Sequence, residues 1–211
     1  CLAGGVALNC VANGKLIKEK IFDDIWIQPA SGDAGNSLGS ALLTWHQYFK
    51  KERKANINDS MKGSLLGPKF SEIYIENFLK KINAPFLSMD DSDLYDEISK
   101  LIDLGKIIGW FNGRMEFGPR ALGARSIIGD PRNEKMQSLM NLKIKYRESF
   151  RPFAPSILEE NITDQFEIDK KSPYMLFVAP VKKELRKEYK KKGSFFKGLE
   201  NLSIYLKDNP F

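Results

Sequence analysis

The stretch KIIGWFNGRMEFGPRALG, residues 106–123, decides the fold class that the sequence predicts. Residues 106–111 are apolar enough to form a short buried strand. Residues 112–123 interleave three glycines and a proline with two arginines, which favours a loop whose backbone approaches a ligand closely. Since α/β proteins bind ligands at the carboxyl ends of their strands, the stretch predicts an α/β fold with a binding loop after a strand.

Helices and strands are also predicted on both sides of this stretch. Ser71 is expected to cap a helix with one apolar face, and a second helix begins in the acidic cluster 90–93 and ends at Gly105. The alternation of strands and helices along the chain favours the α/β class. The remaining predicted elements are a helix over 134–142 and strands over 126–128 and 174–181.

Residues 1–54 predict the order strand, glycine turn, helix, strand, glycine turn, helix. The second strand covers 25–27, and the helix after it carries apolar residues at helical spacing. Residues 56–70 have the glycine, proline and serine content of a linker. The sequence opens at Cys1 without an initiator Met, so we expect it to be a piece of a longer protein.

Arginine is concentrated in one part of the sequence. The chain has 25 lysines and 8 arginines, yet six of the arginines fall within residues 114–151. Lysine would suffice for positive charge alone, whereas arginine adds a planar fork that matches phosphate and carboxylate oxygens. We expect two or three of the six to be structural, paired with Glu116, Asp130 or Glu148, and the rest to face an anionic ligand. The six are Arg114, Arg120, Arg125, Arg132, Arg147 and Arg151.

A second basic segment covers residues 143–153. If the chain is extended there, Lys143, Lys145 and Arg147 point to one side. Glu148, among these cations, is expected to orient them as an ion-pair partner rather than to act as a free base. The one histidine of the sequence, His46, falls on the polar side of a surface helix, so we expect no catalytic role for it.

Two glycine turns lie at predicted strand ends, Gly4-Gly5 and residues 32–35. Each precedes a potential helix N-terminus, where free N–H groups and the helix dipole favour a phosphate. Asp33, between two glycines, is placed to touch a metal ion or a nucleotide, and an ordinary Asx turn is the equal alternative.

The formal net charge of +6 does not indicate a nucleic-acid-binding protein, because the charge is concentrated in one run. Residues 182–192 carry seven basic and two acidic side chains, and the rest of the chain sums to +1. Such a run favours a solvated surface helix. No apolar run approaches the ~20 residues that a membrane span needs. Two cysteines without metal-site spacing favour a reducing cytoplasm.

Four strings of the sequence closely resemble the O-carbamoyltransferases of nodulation-factor and antibiotic biosynthesis. The resemblance extends over nearly the whole chain, to about residue 181. The two longest strings are highly specific. The four are LAGGVALNCVANG at 2–14, QPASGDAGNSLG at 28–39, GWFNGRMEFGPRALGARSI at 109–127 and LKIKYRESFRPFAPSIL at 142–158.

This resemblance implies two domains with different ligands. Residues 1–55 would be the last piece of an actin-like ATPase domain, similar to the tRNA-threonylcarbamoylation protein Kae-one, and residues 56–70 the linker. Residues 71–211 would form a truncated YrdC-like α/β domain with a twisted mixed sheet, which binds carbamoyl phosphate. The family's Thr-His-Val-Asp string, expected beyond Phe211, is absent from this sequence.

The resemblance also implies cofactors for the N-terminal piece. ATP would bind at the glycine turns. Asp33 would supply one ligand of an iron-type metal whose histidine ligands lie upstream of this sequence, and Mg²⁺ would accompany ATP. The residues expected to border the nucleotide are Gly4, Gly5, Asn9, Gly32 and Gly35.

Carbamoyl phosphate would be held by cationic side chains of the C-terminal piece. Arg120, Lys145 and Arg151 match the positions assigned to its phosphate and to catalysis, in agreement with the clustering of arginine. The full set expected to bind carbamoyl phosphate is Arg114, Glu116, Arg120, Arg125, Lys145, Arg147 and Arg151.

The function implied is transfer of a carbamoyl group from carbamoyl phosphate, through ATP-derived carbamoyladenylate, to a hydroxyl of a small molecule or sugar. The fragment alone is expected to be inactive, no nucleic-acid partner is expected, and a homodimer is left open. One alternative is threonylcarbamoyl-type tRNA modification. Another is hydrogenase-maturation carbamoyl transfer, but the proteins of that class add cysteine-rich segments that this sequence lacks. A non-catalytic anion- or RNA-binding module would instead show salt-sensitive RNA binding.

Overall fold

The chain folds into two compact units in the computed structural model, which describes residues 1–54, 58–149 and 151–186. The first unit consists of Cys1–Phe86, Trp110–Ser126 and Lys170–Ala179. The second consists of Leu87–Gly109, Ile127–Asp169 and the described residues from Pro180 onward. The domain division at residues 56–70 stays a prediction.

The first unit begins with the predicted order of elements. Leu2 forms a parallel bridge with Ile27, so the strand expected over 25–27 is reduced to a single bridging residue. A 3₁₀ turn, Gly5–Leu8, follows the first glycine turn and leads into helix α1, Cys10–Glu19. The second glycine turn leads into helix α2, Ala34–Leu43, which continues as a π-helical turn over Thr44–Tyr48.

A small apolar core lies beneath these turns. Ala7, Ile27 and Leu176 are buried, and partly buried apolar side chains pack around them. The buried side chain of Asn13 donates from Nδ2 to the carbonyl oxygens of Ala7 and Leu176, both at 2.8 Å. The first of these hydrogen bonds connects α1 to the preceding 3₁₀ turn, and the second attaches residues 174–178 to α1.

Two helices confirm the capping residues predicted from the sequence. Helix α3, Glu72–Lys81, follows Ser71, whose hydroxyl accepts a hydrogen bond from the Tyr74 amide at 3.2 Å. Helix α4, Asp91–Asp103, follows Asp90, whose carboxylate accepts from the Asp93 amide at 2.9 Å.

Helix α4 ends where its sequence predicts. Gly105 adopts a φ of +76°, a left-handed conformation that glycine accommodates without strain. Helix α5, Met136–Leu139, continues as a π-helical turn over Met140–Ile144, in agreement with the helix expected over 134–142. A short helix α6, Ile162–Gln165, follows later in the chain.

The strands are shorter and less buried than the sequence predicts. Strand β1, Ile108–Phe111, pairs with strand β2, Arg125–Ile128, in an antiparallel sheet. The prediction of a buried strand over 106–111 is wrong in part, because Phe111 is 53% exposed and burial alternates along β1. The α/β class is confirmed, and the twisted mixed sheet stays a prediction.

The strand predicted over 174–181 does not form. Met175 has a φ of +52°, which interrupts any extended run. The Val178 amide donates to the Cys10 carbonyl at 3.2 Å, and Val181 forms an isolated antiparallel bridge with Phe166. Residues 174–178 are therefore attached to the rest of their unit by single hydrogen bonds rather than by a ladder.

The basic run 182–192 lies only partly within the described residues. It contains a 3₁₀ turn over Lys183–Leu185, and the remainder, from residue 187, lies outside them. None of the helices in the described ranges is long and apolar enough to cross a membrane.

Candidate functional site

The loop of residues 112–123, here called the arginine loop, is held from inside by a buried carboxylate. Glu116 is 3% exposed. Its Oε1 accepts hydrogen bonds from the amides of Leu122 at 2.9 Å and Ala124 at 2.7 Å, and its Oε2 accepts from Nε of Arg125 at 3.2 Å. Glu116 therefore acts as the internal brace of the loop, and Arg125 is one of the structural arginines.

The surroundings of Glu116 keep it charged. Burial by itself would raise the pKa of this carboxyl, but the amides of Ala124 and Leu122 and the Arg125 guanidinium together hold the pKa below its ordinary value. A carboxylate in this state accepts hydrogen bonds but does not donate a proton near neutral pH. Its role in the loop is structural and electrostatic.

The predicted linker is folded against the arginine loop. The Gly67 amide donates to the Met115 carbonyl at 2.9 Å, and the Met115 amide donates to the Pro68 carbonyl at 3.0 Å. The exposed Arg114 donates from Nη1 to the Gly67 carbonyl at 2.7 Å. Arg114 is thus oriented by the linker, which sequence composition alone does not indicate.

The first unit brings the two glycine turns and the arginine loop together. The Gly4 amide donates to the Ser31 carbonyl at 2.8 Å, which joins the turns to each other. A Cβ at Gly118 would lie 3.2 Å from the Cβ of Ala30, which packs the loop on the second turn. Arg120 donates from Nη2 to the Leu8 carbonyl at 3.0 Å, at the end of the first turn.

The glycines expected to border a nucleotide have different surroundings. At Gly4, with a φ of +94°, and at Gly5, an added Cβ would meet open space, so the backbone there is accessible to a ligand. At Gly35 a Cβ would lie 2.0 Å from the Ala30 carbonyl oxygen, so this glycine is required for packing. At Gly32 a Cβ would lie 3.7 Å from Cδ1 of Leu8, an ordinary van der Waals contact.

Two polar residues of the predicted nucleotide and metal sites occupy helix N-termini. Asn9 accepts a hydrogen bond from the Ala12 amide at 3.1 Å and so caps α1. Asp33 is exposed and precedes α2 with helical φ and ψ, but its side chain makes no capping hydrogen bond. Asp33 therefore does not cap α2 through its side chain, and its carboxylate remains available to a ligand.

Asp33 fits a metal site only as one ligand among several. A carboxylate is a suitable oxygen donor for a divalent metal, but a single one does not hold a transition metal tightly. Within the described ranges no three His, Cys, Asp or Glu side chains converge on a point where they could hold a metal ion.

The basic segment 143–153 lies in the second unit and is not extended. Its first residues belong to the π-helical turn Met140–Ile144, Lys145 has helical backbone angles and Tyr146 has a φ of +49°. The expectation that Lys143, Lys145 and Arg147 share one side of an extended chain is therefore wrong. The physical reason is that the helix predicted just before them continues as the π-helical turn to Ile144, and the left-handed Tyr146 follows its cap.

Asn141, which sequence reasoning missed, organises this segment. It is fully buried, and its Nδ2 donates to the carbonyl oxygens of Ser149 at 3.2 Å and Arg151 at 2.8 Å. Its Oδ1 accepts from Nε of Arg147 at 2.6 Å, and the Arg147 guanidinium lies 4.9 Å from the centre of the Phe153 ring. No pattern in the sequence distinguishes Asn141 from a solvated polar residue on a helix.

The cations of this segment remain near solvent. Lys145 is exposed, and Arg151 pairs through Nε with Oε2 of Glu148 at 3.1 Å, with both side chains about half exposed. The hydrogen bonds of Glu148 with its own amide and with Arg151 lower its pKa, in agreement with the expected ion pair, and its orienting role stays a prediction. A shallow open depression is lined by Leu142, Tyr146, Arg147 and Glu148.

Three of the six clustered arginines form ion pairs with the carboxylates expected from the sequence, and the division into structural and ligand-facing arginines stays a prediction. Arg125 pairs with Glu116, Arg151 pairs with Glu148, and Arg132 pairs with Asp130 at 2.9 Å and with Asp103 at 2.6 Å. Arg114 and Arg120 instead donate to carbonyl oxygens in the first unit. Of the phosphate set, Arg120 belongs to the first unit and Lys145 and Arg151 to the second, so their joint action stays a prediction.

Comparison with known proteins identifies two matching family models. One is described as Carbamoyltransferase N-terminus and matches residues 1–42, and the other as Carbamoyltransferase C-terminus and matches residues 99–192.

Three relatives illustrate the similarity. An uncharacterized protein of Synechocystis sp. is 57% identical over 97% of this chain and 34% of its own length. Nodulation protein NolO of Bradyrhizobium diazoefficiens is 41% identical over 86% of the chain and 33% of its own length. Nodulation protein NolNO of Sinorhizobium fredii is 40% identical over 88% of the chain and 27% of its own length. The chain therefore spans about a third of the length of the curated relatives it matches.

Proposed function

Since this chain belongs to the carbamoyltransferase family, we propose that the full-length protein transfers a carbamoyl group from carbamoyl phosphate to a hydroxyl of a small molecule or sugar. The observation that carries the proposal is the braced arginine loop lying against two glycine turns in one unit. An anion-binding fork beside an open glycine backbone is suited to phosphate chemistry.

The reaction proceeds in two steps that conserve atoms and charge. In the first step water hydrolyses carbamoyl phosphate to carbamate, inorganic phosphate and a proton, and a carbamate oxygen then attacks the α-phosphorus of ATP and displaces pyrophosphate. The acceptor hydroxyl then attacks the carbamoyl carbon of the carbamoyladenylate, and AMP leaves as the hydroxyl proton is lost. Binding energy from the adenosine positions the reacting carbon in the second step.

The residues of this chain divide between the two steps. Arg114 and Arg120 of the arginine loop are proposed to bind carbamoyl phosphate, as in a domain of the YrdC-like type. Lys145, Arg147 and Arg151 of the second unit are proposed as further phosphate-binding residues of the full-length protein. The exposed backbone of Gly4 and Gly5 is proposed to border the nucleotide in an actin-like domain. Cationic forks of this kind stabilise the negative charge that develops on transferred phosphate oxygens.

Asp33 is proposed as one ligand of a metal that assists at the nucleotide. The chemistry that such an ion supplies is charge neutralisation at phosphate oxygens. Replacing Asp33 by Ala in the full-length protein should lower the metal content measured by elemental analysis, and replacing the exposed Asp23 by Ala should not. Unchanged metal content in the Asp33→Ala protein would remove Asp33 from the site.

Isotope transfer tests the proposed function. The full-length protein is incubated with ¹³C-carbamoyl phosphate, ATP and a panel of sugar and polyol acceptors, and products are identified by mass spectrometry. An O-carbamoylated small molecule that forms only with both ATP and carbamoyl phosphate is the expected result.

The same experiment distinguishes the alternatives. Label that enters only added tRNA would replace the proposal by tRNA modification. Salt-sensitive RNA binding without turnover would indicate a non-catalytic module. Label in no product at all, with any acceptor class, would contradict carbamoyl transfer by this protein.

A further inference from the structure

The middle of the predicted linker adopts an unusual backbone conformation. Lys62, Gly63 and Ser64 are three consecutive residues with left-handed φ values of +52°, +68° and +62°. Left-handed conformations are unfavourable for residues with a Cβ, and they persist only where the surroundings enforce them. Ser64 is 1% exposed, and its hydroxyl has no partner among the described residues.

Asp59 and Tyr174 enforce this turn. Asp59 accepts hydrogen bonds from the Met61 amide at 3.0 Å through Oδ1 and from the Gly63 amide at 2.9 Å through Oδ2. The Tyr174 hydroxyl donates to Oδ2 of Asp59 and accepts from the Gly63 amide at 3.0 Å. Tyr174, which lies 115 positions from Asp59 in the sequence, therefore stabilises the turn through a long-range contact.

The turn in turn holds the arginine loop. The Phe117 amide donates to the Ser64 carbonyl at 2.6 Å, beside the two hydrogen bonds that pair Met115 with Gly67 and Pro68. Close approach at this point requires glycine, because a Cβ at Gly67 would lie 2.8 Å from the Cβ and 2.9 Å from the carbonyl oxygen of Met115. The backbone on both sides of Glu116 is thus fixed by residues 64–68.

We propose that Asp59 and Tyr174 form a clamp that positions the arginine loop for its phosphate-bearing substrate. The clamp sets the left-handed turn, the turn presents the Ser64 carbonyl and Gly67 to the loop, and the loop carries Arg114 with Nη1 on the Gly67 carbonyl. Neither clamp residue contacts the reacting atoms, so both are positioning residues. The proposal rests on the proposed function, since it assigns the positioned loop to carbamoyl phosphate.

The test compares Tyr174→Phe and Gly67→Ala with matched controls in the full-length protein. Tyr48→Phe removes the hydroxyl of a tyrosine that is 77% exposed, and Gly39→Ala adds a Cβ to a glycine with nothing within 4 Å. Two readouts are taken: hydrogen exchange of the Met115 and Phe117 amides, and the KM values for carbamoyl phosphate and ATP.

We expect Tyr174→Phe to accelerate exchange of these two amides by about tenfold, the effect of losing one hydrogen bond to a charged group. Gly67→Ala should also accelerate it, because its Cβ would lie 2.8 Å from the Cβ of Met115. In both variants the KM for carbamoyl phosphate should rise about fivefold while the KM for ATP stays unchanged, because a displaced arginine loop affects one substrate. In the control variants both KM values and the amide exchange should stay as in wild type. A lower melting temperature alone would not produce this split.

Unchanged exchange at both amides would overturn the clamp, whatever the enzyme's activity. Faster exchange with an unchanged KM for carbamoyl phosphate would overturn the positioning role and leave a purely structural contact. A wild-type protein that never uses carbamoyl phosphate would overturn the proposed function and the assignment of the loop to that substrate, and amide exchange would still decide whether the clamp exists.

Discussion

Glu116 and Arg120 lie four residues apart on the arginine loop and have opposite tasks. Glu116 is buried and accepts hydrogen bonds from Leu122 of the loop and from Ala124 and Arg125, which follow it. Arg120 donates one hydrogen bond, to the carbonyl of Leu8 at the end of the 3₁₀ turn after the first glycine turn, and its buried Nε has no partner among the described residues. The carboxylate therefore stabilises the loop internally, and the guanidinium connects it to the region where a nucleotide is expected.

Replacing Glu116 by Gln should remove the ion pair with Arg125 but retain an acceptor for the two amides. Replacing it by Leu should leave all three donors without their acceptor, at about 1–3 kcal/mol for each buried donor. We expect the melting temperature of the full-length protein to fall in the order wild type, Glu116→Gln, Glu116→Leu. Equal melting temperatures for Gln and Leu would show that the brace contributes little.

The pH dependence of this brace has a defined sign. The pKa of Glu116 is lower in the folded protein than its ordinary value, so the charged form stabilises the fold. The contribution is complete above about pH 4.3, the ordinary pKa of glutamate, and it is lost as pH falls through the lower folded pKa. The difference in melting temperature between wild type and Glu116→Gln should therefore shrink as the solution is acidified.

The choice of arginine at position 120 leads to a separate prediction. If Arg120 contacts a phosphate oxygen, Arg120→Ala should weaken binding of carbamoyl phosphate roughly tenfold or more, since a charge-assisted hydrogen bond contributes about 1.5–3 kcal/mol. Arg120→Lys should also lose affinity, because lysine lacks the planar fork. Arg186→Lys, at an exposed ion pair with Glu167, is the matched control.

Titration calorimetry on the full-length protein measures each of these affinities. Binding of carbamoyl phosphate with wild-type affinity by Arg120→Ala would exclude position 120 from the phosphate site.

At the scale of elements, the sequence predicts what local chemistry determines. Ser71 and Asp90 are found as the caps expected from residue type, and Gly105 ends α4 because the left-handed position after a helix favours glycine. These features depend on neighbours within a few residues. For that reason they can be predicted from the sequence without knowledge of the tertiary structure.

Elements whose conformation depends on residues distant in the sequence cannot be predicted in this way. The segment 58–68 has the composition of a linker, yet its conformation depends on Tyr174 and on the arginine loop. Asn141 has an ordinary helical position, and its burial follows from carbonyl oxygens eight and ten residues away. The carboxylate partners of the arginine cluster were predicted from the sequence, but the hydrogen bonds of Arg114 and Arg120 to backbone carbonyls required the structure.

The Asp90 cap provides a test at this scale. Asp90→Ala should lower the stability of the protein by about 1 kcal/mol, because the Asp93 amide loses its acceptor and the α4 N-terminus loses a favourable charge. Glu97→Ala, on an exposed mid-helix position, should have no such effect. Calorimetric melting of both variants decides it, and equal melting temperatures would mean that Asp90 does not stabilise α4.

At the scale of the whole molecule, the proposed chemistry needs two kinds of site. Carbamoyl phosphate is a small dianion that requires cationic forks, whereas a carbamoyladenylate is held by its adenosine and by exposed glycine backbone. The predicted phosphate set is divided between the two units, with Arg120 in the first and Lys145 and Arg151 in the second. The order in which the substrates react is therefore the property that tests the scheme most directly.

The adenylate scheme predicts that pyrophosphate is released from ATP when carbamoyl phosphate is present and the acceptor is absent. The reason is that carbamate attacks the α-phosphorus before any hydroxyl takes part. Arg120→Ala should abolish this release, because the first step loses its phosphate contact, while added carbamoyladenylate should still be consumed with acceptor. Arg186→Lys should behave as wild type in both assays. A coupled pyrophosphate assay on the full-length protein measures the release, and if none occurs until acceptor is supplied, carbamoyl phosphate transfers directly to the hydroxyl and the adenylate step must be abandoned.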